Sequence, residues 1–240
     1  MLRSRGSLAQ LARELQVYAA QPFARGPLRR RPLGLGRDGI IVRMFWLLLC
    51  VTLAGQDMVK PAAVAVVVVF ETEFGAITME IDSARAPITA ANFLKYVDGK
   101  FYDGGVINRA VRPDNTVRHD VEIQVIQFQS DSARRPEMFP PIPLERTSVT
   151  GLRHVDGALS MARLGPDSAV ASFSIMVGDQ FELDFGGKRN EDGQGFAVFG
   201  RVTAGMDVVK KIHASKTGAT GAYGTESLDP PIKIISATRK

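Results

Sequence analysis

One cysteine, one tryptophan and three histidines in 240 residues leave little material for several kinds of chemistry. With Cys50 alone, no disulfide forms within the chain, and no cysteine–histidine set has the spacing of a zinc site. The three histidines are scattered, so a serine nucleophile has few bases to draw on. His119 falls in the charged stretch "TVRHDVE". His154 follows "GLR" and reads equally well as a surface residue. His213 sits beside two lysines on a predicted helix and reads as solvated. The stretch "ALSMARLGPDSAVASFSIMVGD" (158–179) holds Ser160, Ser168, Ser172 and Ser174, yet no Gly-x-Ser-x-Gly elbow or Ser-x-x-Lys surrounds them. Glu182 and Asp184 read as strand-end solvation. The Gly-rich "FGGKRNEDGQG" (185–195) lacks the P-loop arrangement and reads as a solvated loop.

Charge is unevenly spread. Residues 1–43 hold nine arginines and no lysine against Glu14 and Asp38, a net of +7. The whole chain is +5, so residues 44–240 carry −2. The basic character belongs to this leader, which is rich in Pro and Gly and expected to be disordered, and the body shows no nucleic-acid footprint. Next comes "MFWLLLCVTLAGQD", an apolar run of about 11 residues behind Arg43. It falls short of the roughly 20 residues a bilayer demands. It fits the apolar core of a secretory signal, with Ala54 and Gly55 near a cleavage point. Residues 44–61 are therefore expected to be signal and linker, and the mature protein exported. A cytoplasmic location follows if this segment is not a signal, and any contact with membrane is expected only through it.

Residues 62–240 read as one domain, mainly β. "AVAVVVVFETEFGAITMEID" predicts a hairpin with Gly75 near its turn. "APITAANFLKYVDG" predicts a helix, with Pro87 in its first turn and Gly99 as its stop. Short strands follow in "GVINRAV", "VEIQVIQF", "GALSMAR", "SFSIMVG" and "FAVFGRV". A second helix, "GMDVVKKIHA", precedes a Gly-rich loop and a last strand, "IKIISAT". Many short strands with only two helices argue for a barrel or sandwich over a parallel α/β sheet.

The order of these blocks resembles the cyclophilin-type peptidyl-prolyl isomerases. "FGAITMEIDSARAPITAANFLKYVDGKFYDGGVINRAV" is similar to that family's opening, and "IQVIQ" to the strand with its active-site glutamine. "GALSMAR", "ASFSI", "LDF" and "FAVFGRVTAGMDVVKKI" follow in family order, so that the similarity covers roughly residues 68–237. The resemblance implies an eight-stranded antiparallel barrel capped by two α-helices. It also implies an enzyme that rotates X–Pro bonds of protein segments without cofactor or metal, and a monomer. By alignment Arg109 is the catalytic arginine, and Gln127 holds the substrate carbonyl and the arginine. Gln124, Val125, Ser172, Phe173, Ser174, Leu183 and Phe196 fall at substrate-binding positions.

Several of those positions depart from the family pattern. Ile107-Asn108-Arg109 stands where Phe-His-Arg is usual. The segment between Arg109 and Gln127 is about ten residues longer, filled by "RPDNTVRHDVE". Gln124, Val125 and Ser174 replace phenylalanine, methionine and phenylalanine of the proline pocket, and Leu183 keeps its leucine. Ser172 replaces a glutamine, Phe196 a histidine, and Phe128 a common glycine. Phe181, Phe196 and Phe128 are the aromatic residues near enough in the alignment to fill the gap at Ser174. The depleted pocket favours one alternative, a peptide-binding module or chaperone with weak or no catalysis; a serine hydrolase, resting on the serines of 158–179, is a distant third reading.

Overall fold

The computed structural model describes residues 65–218 and 220–240; the leader and the signal-like segment lie outside the described residues. Nine strands form one antiparallel sheet: β1 (Val66–Thr72), β2 (Gly75–Ile81), β3 (Val106–Val111), β4 (Val125–Gln129), β5 (Ala158–Met161), β6 (Phe173–Met176), β7 (Ala197–Ala204), β8 (Thr217–Gly218) and β9 (Ser227–Arg239). Their order is β1-β2-β7-β5-β6-β4-β3-β9-β8, and β1 also pairs with β9. That last pairing closes eight strands into a barrel, with the two-residue β8 appended to β9. Closure leaves no open edge on the main sheet.

The first hairpin forms as its sequence predicts. Val66 to Val69 are β-branched and suit a pleated surface. Thr72 pairs with Gly75 across the turn, and Gly75 adopts φ +125°, a region that suits glycine. Helix α1 (Pro87–Asp98) starts with Pro87 in its first turn, but Ala86 offers no side-chain cap. Glu145, far along the chain, supplies it: its carboxylate accepts from the Ile88 amide at 3.1 Å and the Thr89 amide at 2.7 Å. The capping carboxylate thereby ties the segment before α2 (Thr147–Thr150) to the barrel's end. The amphipathic helix α3 (Met206–His213) buries Val209 and Ile212.

Aromatic rings fill the barrel. Phe128 and Phe173 stack with centroids 4.5 Å apart, and Phe70 meets both edge-on at 5.7 and 5.6 Å. Phe93, brought by α1, packs against Phe173 and Phe199 at 5.3 and 5.0 Å. All five are fully buried. Because side chains alternate along a strand, each ring sent inward leaves its neighbours facing outward. On β4 and β6 those outward neighbours form the floor of a groove.

Candidate active site

Arg109 lies in β3, opposite Gln127 of β4 on one side and Ser227 of β9 on the other. The register slips between Ile107 and Arg109 in both pairings, a bulge that re-aims the strand where the arginine sits. Across the sheet, Gln127 faces Ser174 of β6, which faces Ser160 of β5.

The arginine is held on three sides. Its Nε and Nη2 donate to Oε2 of Glu226 at 2.8 and 2.6 Å, and its Nη1 donates to Oε1 of Gln127 at 3.2 Å. The ring of Tyr223 lies against the guanidinium, with Cζ 4.7 Å from the ring centroid. Glu226 is only 3% exposed, and its second oxygen accepts from the Thr116 hydroxyl at 2.9 Å. Thr116 belongs to the long segment between β3 and β4. That segment is fastened in turn to the loop before β9, where the Thr225 hydroxyl donates to the Asn115 carbonyl at 2.6 Å. The extra residues thus reach Arg109 through its counter-ion. Gln127 and Gln129 both donate from Nε2 to the Tyr223 hydroxyl, at 3.4 and 3.1 Å, and the Ser172 hydroxyl donates to Oε1 of Gln129.

Beside this network runs a groove of about 500 Å³. Arg109, Gln127, Ser172 and Ser174 reach it, together with the apolar side chains of Val125, Leu183 and Phe196. Met161 and Met176 add flexible aliphatic surface. Phe196 also carries the Arg163 guanidinium, 5.0 Å from its centroid.

Two residues expected at the site stand elsewhere. Phe173 is fully buried in the aromatic core, since the alternation that points Ser172 and Ser174 to the groove points Phe173 into the barrel. Gln124 lies on the opposite face from Val125 for the same reason and does not line the groove. Of the aromatic residues near Ser174, Phe128 is core and Phe181 lies under Arg153 outside the groove. Only Phe196 lines it.

Two of the three histidines are corrected as well. His154 is fully buried, not on the surface. Its Nδ1 donates to Asp184 at 2.7 Å, and its Nε2 accepts from the Ser160 hydroxyl at 2.8 Å. The order is that of a hydrolytic triad, but its work is visible in the backbone. Asp184 also accepts from the His154 amide at 3.2 Å, and the Gln180 amide donates to the His154 carbonyl at 2.7 Å. The set staples the turn bearing Leu183 to the barrel. Asp184 is therefore a buried partner and not strand-end solvation. His213 is also buried, its Nε2 donating to the Val111 carbonyl at 2.8 Å. His119 is exposed in its loop. Among the described residues no acidic, cysteine and histidine group gathers as a metal site.

Glu226, Tyr223, Thr116 and Gln129 escape the sequence reading. Gln129 had a signal, being two residues from Gln127 and so on the same strand face. Glu226 had none, because it meets Arg109 from 117 residues away in a Gly-rich loop.

The family model of the cyclophilin-type peptidyl-prolyl cis-trans isomerases matches residues 67–239. A peptidyl-prolyl cis-trans isomerase of Streptomyces antibioticus is 35% identical, the match covering 67% of this chain and 91% of that one. Another, from Acinetobacter baylyi, is 33% identical over 79% of this chain and 94% of its own. A solved cyclophilin-type isomerase of Cryptosporidium parvum shares the fold, with a TM-score of 0.57 at 16% identity over 73% of this chain and 98% of that chain. The chain belongs to the cyclophilin-type peptidyl-prolyl cis-trans isomerase family. It is an enzyme of that class.

Burial pushes the His154 pKa below its ordinary value, aided by Arg153 and opposed by Asp184. Burial does the same to His213, aided by Arg112 and opposed by its bond to Val111 and by Asp114. The folded pKa values thus lie below the unfolded value of about 6.5, so between the two the unfolded chain binds more protons. Stability is then fully present above about pH 6.5 and falls as the solution is acidified through that window, by at most about 1.4 kcal/mol per pH unit for each histidine. Urea unfolding between pH 7.5 and 5.5 should show this slope, and His213→Gln, which keeps a donor for Val111, should reduce it. A stability independent of pH in that range contradicts the assignment.

Proposed function

We propose that X–Pro bonds rotate in the groove beside Arg109 and Gln127. The supporting observation is a guanidinium fixed at the groove with donors to spare. Three of its five N–H groups are engaged by Glu226 and Gln127, which leaves one on each terminal nitrogen. Rotation removes amide resonance at a cost of roughly 18–20 kcal/mol. In the twisted amide the prolyl nitrogen regains its lone pair and accepts a hydrogen bond that the planar amide does not offer. An N–H of Arg109 aimed at this nitrogen binds the twisted form in preference, which is what lowers a barrier. Gln127 orients the guanidinium and offers its amide to the substrate carbonyl. The apolar side chains of Val125, Leu183 and Phe196 receive the proline ring, and the substrates are proline-containing protein segments.

Glu226 sharpens the test of this role. Removing Arg109 alone leaves a carboxylate buried without its cation, a change that typically costs about 3–5 kcal/mol of stability. Arg109→Ala should therefore lose both activity and stability. Arg109→Ala combined with Glu226→Gln should regain much of the stability and none of the activity. The activity loss expected for one transition-state donor is about 2–4 kcal/mol, or 30- to 1,000-fold in kcat/KM. A stable double variant with native activity on a proline tetrapeptide would move the chemistry away from Arg109.

Ser174 bears on the level of activity. A hydroxymethyl group occupies the floor where the family places an aromatic wall, and no other phenylalanine than Phe196 reaches the groove among the described residues. A buried phenyl ring contributes roughly 1.5–3 kcal/mol, about 10- to 150-fold in affinity. Ser174→Phe should raise kcat/KM on a short proline peptide while still requiring Arg109. If a folded Ser174→Phe protein is no faster, the aliphatic walls already hold the ring.

The exported location belongs to the same proposal. It is supported by the apolar run behind Arg43 and by the small residues Ala54 and Gly55 that end it. N-terminal sequencing of the protein from its native cells should place the first residue between Gly55 and Ala63. Soluble cytoplasmic protein retaining Met1 contradicts it.

A further inference from the structure

Binding a proline ring makes no use of the charge around the groove. Arg109, Arg118, Arg163 and Arg189 all reach it, and no carboxylate does among the described residues. Three of the four are answered from outside the lining: Arg109 by Glu226, Arg118 by Asp120 and Arg163 by Asp192. Arg189 differs. It is 8% exposed, and its guanidinium makes one hydrogen bond among the described residues, from Nη1 to the Val121 carbonyl at 2.8 Å. It pairs with no carboxylate there. Burial and the nearby charges of Arg118 and Arg109 hold its pKa below the ordinary arginine value, and Glu226 and Asp120 offset them only in part. Arginine stays protonated regardless, so the charge persists.

The position of Arg189 is fixed by a reciprocal clasp. Arg118 donates from Nη1 to the Arg189 carbonyl at 2.6 Å, while Arg189 donates to Val121. This joins the long segment between β3 and β4 to the Gly-rich loop 185–195 at the end of the groove lined by Ile123 and Val125. Apart from the bond to Val121 its N–H fork is unused, and because none of its unpaired nitrogens is fully buried these donors stay open at the groove, where the planar fork matches paired oxygens.

We propose that the groove selects proline segments bearing an anionic side chain close to the proline, and that Arg189 is the residue that receives it. The proposal rests on the reading of this groove as the X–Pro site. Carboxylate and phosphate oxygens fit the same fork, so aspartate, glutamate and phosphoserine share the required chemistry. Placing the anion in the groove neutralises the repulsion among Arg189, Arg118 and Arg109, and Lys or Arg at the same peptide position adds to it.

The test uses the mature protein and proline peptides that differ at one residue, before or after the proline: Ala, Asp, phosphoserine or Lys. The readout is the ratio of kcat/KM values to that of the Ala peptide. An anionic peptide should exceed Ala by about ten-fold at low salt, the scale of one charge-assisted hydrogen bond partly screened by water. The Lys peptide should fall below Ala, and the preference should shrink as salt rises. Arg189→Gln should bring the anionic ratio close to one, while Arg189→Lys, which keeps the charge but loses the planar fork, should keep only part of it. A higher ratio for phosphoserine than for Asp assigns the anion to phosphate, and the reverse to carboxylate; either supports the site. Equal ratios for Asp, phosphoserine, Ala and Lys overturn the proposal while leaving the isomerase reading intact. So does an anionic preference that survives Arg189→Gln. No catalysis on any peptide counts instead against the groove as the X–Pro site. If Arg189→Gln fails to fold by circular dichroism, the wild-type ratios and their salt dependence, with Arg189→Lys, still decide.

Discussion

The ion pair between Arg109 and Glu226 is the constraint around which the site is organised. A carboxylate 3% exposed is costly unless a cation and further donors meet it. Here both conditions are satisfied, by Arg109 on one oxygen and Thr116 on the other. Meeting them fixes three separate parts of the chain: β3, the long segment after it and the loop leading into β9. The guanidinium cannot swing toward solvent without abandoning a buried charge. Its free N–H groups therefore keep a set direction at the groove, which is the preorganisation that electrostatic catalysis needs.

The barrel supplies the rigid frame for that pair. Its aromatic interior and the polar face of β4 and β6 are two outcomes of one alternating pattern. Phe128 and Phe173 go in, and Gln127, Gln129, Ser172 and Ser174 go out. Ser172 and Ser174, two of the serines that raise the question of a nucleophile, belong to the outward half of this pattern, while Ser168 closes a turn on Gly165. Ser160 does meet a histidine and an aspartate, but as part of a staple that holds Leu183 at the groove wall.

Much of the fold was legible because its signals are local. The Val-rich hairpin with Gly75, Pro87 opening α1 and the ordered short strands each mark an element within a few residues. The neighbouring placement of Arg109 and Gln127 was legible from the order of the blocks. What escaped is long-range or depends on strand phase. Nothing around Glu226 announces a partner 117 residues away, and nothing in "FGGKRNEDGQG" marks Arg189 as buried. His154 and His213 look solvated among charged neighbours, yet each is buried against a specific acceptor or donor. Phe173 was misplaced by one step of the strand period, enough to send a side chain to the other face.

The central claim is that rotation is driven by the direction of the Arg109 N–H groups, and not merely by positive charge at the groove. Arg109→Lys separates the two, since lysine keeps the charge beside Glu226 but loses the planar fork. Exchange NMR on a proline peptide measures its cis–trans interconversion rate and its binding to the protein in one experiment. The account predicts that Arg109→Lys still binds the peptide but accelerates interconversion at least about ten-fold less than the native protein, a barrier difference of about 1.4 kcal/mol. Native acceleration by the folded Arg109→Lys protein would contradict it.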